Sequence, residues 1–142
     1  MRVTEVLRRK GGSVVTIAPD TSVRELLGLL EEHGIGAVVV SDDGARVAGI
    51  VSERDIVRRM HADGDAILDG PVSQIMTVDV HFCGPADQID ALMDVMTESR
   101  IRHLPVLVDG ALAGIVSIGD VVKYRMAEVQ GERDQLTAYI TR

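Results

Sequence analysis

Aromatic side chains are nearly missing from this chain of 142 residues: it has no tryptophan, and Phe82, Tyr124 and Tyr139 make up its 2% of aromatics. Single-stranded nucleic acids are held largely by bases stacking on such rings, so their scarcity counts against that function. It also predicts a core of Val, Ile, Leu, Met and Ala. Cysteine is represented by Cys83 alone, which excludes an internal disulfide and a thiolate-based zinc site. A lone thiol fits a reducing cytoplasm. Long apolar runs are lacking too. Stretches such as Ala37–Val40 fall far short of the roughly 20 residues a bilayer-spanning helix needs. Met1-Arg2-Val3-Thr4-Glu5 has charge without an apolar stretch behind it, unlike a secretory signal.

Basic charge is also in short supply. The net charge is −7 with a pI near 5.0, and neither half of the chain is basic. A polyanion would be repelled on average, because nonspecific affinity for DNA comes from Lys and Arg neutralising phosphates. No nucleic-acid partner and no membrane are expected. Hydrophobic residues at 46% and charged residues at 26% describe an ordinary globular chain.

What is present is a repeat. Residues 47–57, Val-Ala-Gly-Ile-Val-Ser-Glu-Arg-Asp-Ile-Val, are echoed at 112–122 by Leu-Ala-Gly-Ile-Val-Ser-Ile-Gly-Asp-Val-Val. Upstream, Ile35 through Ala45 matches Ile101 through Ala111, with Arg46 as a one-residue insertion. Pro19 pairs with Pro85, and Val23, Leu26, Leu27 and Leu30 pair with Ile89, Leu92, Met93 and Met96. Such internal similarity dictates fold.

Each half predicts the same order of elements. An extended piece (Val14–Ile17; Val80–Cys83) ends at a proline, whose ring forces the preceding residue out of helical geometry. An amphipathic helix follows, with Asp20-Thr21-Ser22 supplying N-cap candidates in the first half. Then come a strand (Ala37–Val40; Leu104–Val108), a turn at Asp43-Gly44 or Asp109-Gly110, and a partner strand (Val47–Val51; Leu112–Val116). A second helix starts at Ser52 or Ser117 and runs to about Met60 or Met126. The fold class is α+β: two βαββα-type repeats packed with pseudo-twofold symmetry, plus a C-terminal helix. The boundaries are 3–62 for the first repeat, 63–79 for a linker and the first turn of the second, 80–127 for the second repeat and 128–142 for a helical tail. Leu136, Tyr139 and Ile140 share one face of that tail and read as a packing stripe against the body or a second subunit.

The chemistry sits at Ser52-x-x-Asp55 and Ser117-x-x-Asp120, where strand turns into helix. One reading is a capping box: the Ser hydroxyl satisfies one orphan helix N–H and the carboxylate another. The other uses the same place for a ligand. A helix N-terminus offers free N–H groups and partial positive charge to a phosphate. The Ser hydroxyl adds a donor, and a carboxylate suits the paired hydroxyls of a ribose.

The segments Gly49-Ile-Val-Ser-Glu-Arg-Asp55 and Gly114-Ile-Val-Ser-Ile-Gly-Asp120, with Arg100-Ile-Arg-His-Leu-Pro-Val106 and Val15-Thr-Ile-Ala-Pro19, resemble the CBS domain family, named for cystathionine β-synthase. The resemblance covers essentially residues 3–126, twice in register, and looks like a stand-alone bacterial CBS pair. It implies a non-enzymatic sensor whose paired repeats form clefts for AMP, ADP, ATP, NAD or S-adenosylmethionine. It also implies a homodimer, an unidentified downstream protein and no catalytic cofactor. The site it implies draws on Phe82, Arg102, His103, Pro105, Ser117, Ile118, Gly119 and Asp120 in the second repeat. In the first repeat it draws on Thr16, Ala37, Ser52, Arg54 and Asp55. The clefts are expected to be unequal, because Arg102 and His103 face Gly36 and Ala37 in the alignment, and the family's usual Pro is replaced by Val39. A ligand-independent interaction scaffold is the competing function. A small nucleotide-acting enzyme is disfavoured, since no phosphate-binding loop, no Gly-x-Ser-x-Gly elbow and no His-Glu-x-x-His is present. His33, His61, His81 and His103 lie on different elements, which argues against a histidine metal site.

Overall fold

The structure, a computed structural model, describes residues 1–141. Helix α1 (Val3–Lys10) leads into β1 (Thr16–Ile17), α2 (Val23–His33), β2 (Ala37–Val40), β3 (Gly49–Ser52) and α3 (Glu53–Asp63). Two short 3-10 turns, Asp65–Asp69 and Val72–Gln74, cross to α4 (Ile89–Ser99), β4 (His103–Val108), β5 (Ala111–Ser117) and α5 (Ile118–Ile140). The α+β repeat is thus realised twice. None of the described helices is long and apolar enough to cross a membrane.

The expected extended pieces are shorter than the sequence implies. β1 has two residues, pairing Thr16 with Val39 and Ile17 with Val40 in parallel. Its counterpart over Val80–Cys83 shrinks to a single parallel bridge, Cys83 to Val106, in the same register. The antiparallel β2–β3 pair sets Ala37 opposite Ser52 and Val40 opposite Gly49. Ser22 caps α2, its hydroxyl accepting from the Glu25 N–H at 3.1 Å. The helix expected to stop near Met126 runs unbroken to Ile140, so the tail from 128 continues α5; its final residue, Arg142, lies outside the described residues.

The two turns differ for a local reason. Asp109 and Gly110 both take positive φ, 52° and 81°, and close a two-residue hairpin. In the first repeat the extra residue Arg46 opens a longer loop. There the Asp43 carboxylate accepts from Ala45 and Arg46 N–H at 2.9 and 2.8 Å, and only Gly44 is left-handed.

The chain divides into two compact units that do not follow the sequence order. The first-repeat unit comprises Ser13–His81 with the hairpin tip Val108–Ala113; the second-repeat unit comprises Met1–Gly12, Phe82–Leu107 and the chain from Gly114 onward. Each repeat therefore takes the segment preceding the other. In the second-repeat unit, Val3 N–H donates to Asp87 C=O and Thr4 N–H to Pro85 C=O. In the first, Val72 N–H donates to Thr21 C=O and Ser73 N–H to Pro19 C=O. Val3-Thr-Glu-Val-Leu7 and Val72-Ser-Gln-Ile-Met76 are equivalent, and extend the repeat beyond the segments matched above.

Helix α1 was not foreseen either. Its Val3, Val6 and Leu7 fall on one face, and Val3 and Val6 are wholly buried. They pack with Ile89, Leu92, Met96, Leu104, Val106, Val116 and Val121, and with Tyr124, the one ring in an otherwise aliphatic core. The first-repeat core joins Val23, Leu26, Val38, Val40, Val51 and Ile56 to Val72 and Ile75. Burying each such Val or Leu contributes about 1.5–3 kcal/mol.

The motif glycines are explained by these exchanged segments. A Cβ on Gly49 would lie 2.8 Å from both the Met76 Sδ and the Thr77 carbonyl; one on Gly114 would lie 2.6 Å from a Leu7 methyl. They are packing residues, which let the leading segment lie close on β3 and β5.

Candidate functional site

Both Ser-x-x-Asp motifs form capping boxes. In the second repeat Ser117 N–H donates to Asp120 Oδ2 at 2.9 Å, and Asp120 N–H donates to Ser117 Oγ at 3.1 Å. In the first, Ser52 N–H donates to Asp55 Oδ2 at 2.9 Å, and Asp55 N–H donates to Ser52 Oγ at 3.3 Å. The structural role read from the spacing is thus met at both helix starts.

The two boxes part in what remains for a ligand. Ser52 Oγ donates its proton to Asp55 Oδ2 at 3.0 Å, and Asp55 Oδ1 accepts from Thr77 Oγ1 at 3.4 Å. That box is closed on itself. In the second repeat both described bonds to the carboxylate converge on Oδ2, from Ser117 N–H and from Lys10 Nζ at 2.7 Å. The Ser117 hydroxyl also turns to this carboxylate and helps to lower its pKa, while none of the described hydrogen bonds takes Asp120 Oδ1. Of the first backbone donors of α5, Ile118 N–H goes to Arg102 C=O at 2.7 Å and Asp120 N–H to Ser117; none of the described bonds takes Gly119 N–H. A donor amide and an acceptor oxygen thus lie open within one helical turn.

Electrostatics follow the geometry. Burial pushes the Asp120 carboxyl up, but the Lys10 hydrogen bond and charge, together with the Ser117 N–H and hydroxyl, outweigh it and hold it below its ordinary value of 3.8. Lys10, the last residue of α1, also donates to Ile115 C=O at 2.7 Å. Nothing in the sequence spacing pointed to it, since it lies 110 residues from Asp120.

The remaining second-repeat candidates gather around the same helix start. Arg102 is tied to α5 through the Ile118 bond and is exposed, and His103, half-buried, opens β4. Pro105 is buried, its carbonyl accepting from Cys83 N–H at 3.0 Å, which sets Phe82 beside β4 with 43% of its surface exposed. Burial raises the Cys83 thiol to about 12, so it is inert filler. Ile118 is half-buried and Gly119 exposed; a Cβ there would meet only Ser117 Oγ at 3.5 Å.

In the first repeat, Ala37 is buried opposite Ser52, Thr16 is half-buried beside Val39, and Arg54 is exposed at the second position of α3. Glu53 N–H donates to Gly36 C=O, as Ile118 does to Arg102. An open groove of about 530 Å³ between α2 and α3 is lined by Leu27, Leu30, Glu31, Gly34, Ile35, Gly36, Glu53, Ile56 and Val57, and by none of the five candidates.

Known proteins place this arrangement. A CBS-domain-containing protein of Agrobacterium tumefaciens superposes with a TM-score of 0.85 at 49% identity, over 88% of this chain and 99% of that one. A mitochondrial CBS domain-containing protein of Arabidopsis thaliana is 34% identical over 97% of this chain and 71% of its own length. A CBS domain protein of Pyrobaculum aerophilum, solved in complex with AMP, is 30% identical with a TM-score of 0.73, over 84% of this chain and 89% of that one. The CBS domain family model matches residues 3–62 and again 72–127, each match opening at the exchanged segments Val3–Leu7 and Val72–Met76. The chain therefore belongs to the CBS domain family, as a tandem pair.

Proposed function

We propose that the chain is a non-enzymatic regulatory module that binds an adenine nucleotide at the start of α5, AMP ahead of ADP, ATP, NAD or S-adenosylmethionine. The observation that carries this reading is the open second box: Gly119 N–H as donor beside Asp120 Oδ1 as acceptor, neither taken by a described bond. The helix-start amide suits a phosphate and the carboxylate oxygen a ribose hydroxyl. Arg102 and His103 supply further phosphate donors, each charge-assisted bond contributing about 1.5–3 kcal/mol. Phe82, Pro105 and Ile118 offer apolar surface to the base. The AMP complex of the Pyrobaculum aerophilum relative, at 30% identity, supports AMP as the first ligand to test.

The first repeat is the weaker site. Its Ser52 and Asp55 already satisfy one another and Thr77, so a ligand there must break existing bonds to use them. Thr16, Ala37 and Arg54 remain as its contacts.

Two copies of the chain pair through α5. Val122, Met126, Val129, Leu136 and Ile140 are all exposed and follow the alternating four- and three-residue spacing of a helix-pairing seam, interrupted by Arg133. The same seam favours the second reading, a scaffold whose boxes only cap helices. We place the module in the cytoplasm, acting on a downstream protein through ligand-dependent differences in its state.

Thermal unfolding with added nucleotide separates the readings. Saturation at about 100 times the dissociation constant adds roughly 2.7 kcal/mol. At about 2–4 °C per kcal/mol for a chain near this size, melting should rise by several degrees with AMP. No rise with any of the five ligands leaves only the scaffold.

A further inference from the structure

A carboxylate beside a phosphate site is a problem: its negative charge repels the group that the helix N-terminus attracts. The first repeat carries a cation within its own motif, Arg54, two residues past the cap. The second repeat has Gly119 at that position. Its cation arrives from α1 instead: the Lys10 ammonium meets Asp120 Oδ2 at 2.7 Å, with the two side chains 33% and 19% exposed. Half-buried charges are screened less by salt than surface ones. Lys10 thus does two things at once. It pins Asp120 by Oδ2, leaving Oδ1 outside the described bonds, and it neutralises the carboxylate next to the amides that would hold a phosphate.

We propose that Lys10 is a positioning and selectivity residue of the second-repeat site, favouring an adenosine ligand that carries phosphate over one that does not. The inference rests on the nucleotide reading above and adds the ligand's charge as the quantity that Lys10 sets.

The test is calorimetric titration of the full chain with AMP and with adenosine, in wild type, Lys10→Met and Lys10→Arg. Methionine keeps the stem's bulk and removes the charge; arginine keeps the charge. Lys10→Met should weaken AMP about tenfold, a modest effect that fits a half-buried charge screened in part by solvent, and adenosine by less than about threefold. Lys10→Arg should keep the wild-type ratio of the two affinities. A merely structural lysine would move both ligands together and leave that ratio unchanged. Equal loss for the two ligands, no change, or tighter binding of either in Lys10→Met overturns the inference and leaves the nucleotide reading standing. Wild type binding neither ligand removes the reading itself, and the inference with it.

Discussion

The two helix starts of this chain are built from the same Ser-x-x-Asp letters and end in different chemical states. At α3 the Ser52 hydroxyl, both Asp55 oxygens and the Thr77 hydroxyl form a closed set of bonds. At α5 the lysine at the end of a distant helix meets the carboxylate on one oxygen, and the other oxygen and the Gly119 amide lie outside the described bonds. The lesson is that one motif can cap a helix and still differ in what it leaves open. The difference lies in the third group that the exchanged segment delivers: a neutral hydroxyl in one unit and an ammonium in the other.

The largest expected break in the comparison comes from the motif glycines. Gly49→Ala forces a methyl against the Thr77 carbonyl, backbone that cannot turn aside, whereas Gly114→Ala meets only the end of Leu7. We expect Gly49→Ala to cost about 3 kcal/mol and Gly114→Ala about 1 kcal/mol, the two ends of the usual range for overpacking. Urea unfolding of both variants measures the gap; equal costs would mean that the two exchanged segments yield alike.

The carboxylates come next. Asp120→Asn should lower stability by about 1 kcal/mol at neutral pH, as expected for losing a cap. It should also change the acid limb of the stability profile. The Asp120 carboxyl is held below 3.8 in the folded protein, so its contribution is present above that value and is lost as pH falls through the lowered one. Wild type should therefore lose stability relative to Asp120→Asn as the pH drops below about 4, where the unfolded carboxyl protonates first. Parallel curves for the two proteins down to acid unfolding would contradict the Lys10 assignment.

The smallest effect on stability separates cap from site most sharply. At Gly119 an added Cβ meets nothing closer than Ser117 Oγ at 3.5 Å, so Gly119→Ala should be neutral or gain about 0.4–1 kcal/mol. A ligand approaching the Gly119 amide would meet that methyl. The variant should fold as well as wild type and lose most of the AMP-dependent rise in melting temperature; an unchanged rise would move the phosphate elsewhere.

Much of this was legible in the residues. The repeat, the α+β class and the capping boxes all follow from local patterns: apolar spacing, Asp-Gly turns, and Ser three residues before Asp. Helix α1 was missed although Val3, Val6 and Leu7 carry the same helical spacing, because three apolar residues in eight are a weak signal beside the stronger helices. The Val72–Met76 turn was placed with the repeat that follows it in the chain, whereas its side chains are buried in the repeat that precedes it.

Sequence alone determined the helices α2 to α5 and the two hairpins here, since those choices rest on local apolar spacing, caps and turns. It also determined that the two halves are versions of one unit. Only the tertiary structure decided which unit each leading segment enters, and hence that Lys10 rather than a hydroxyl meets Asp120. The reason is physical: a hydrogen bond between residues 110 apart in the chain depends on where buried Val3 and Val6 carry α1, and no local periodicity encodes that destination.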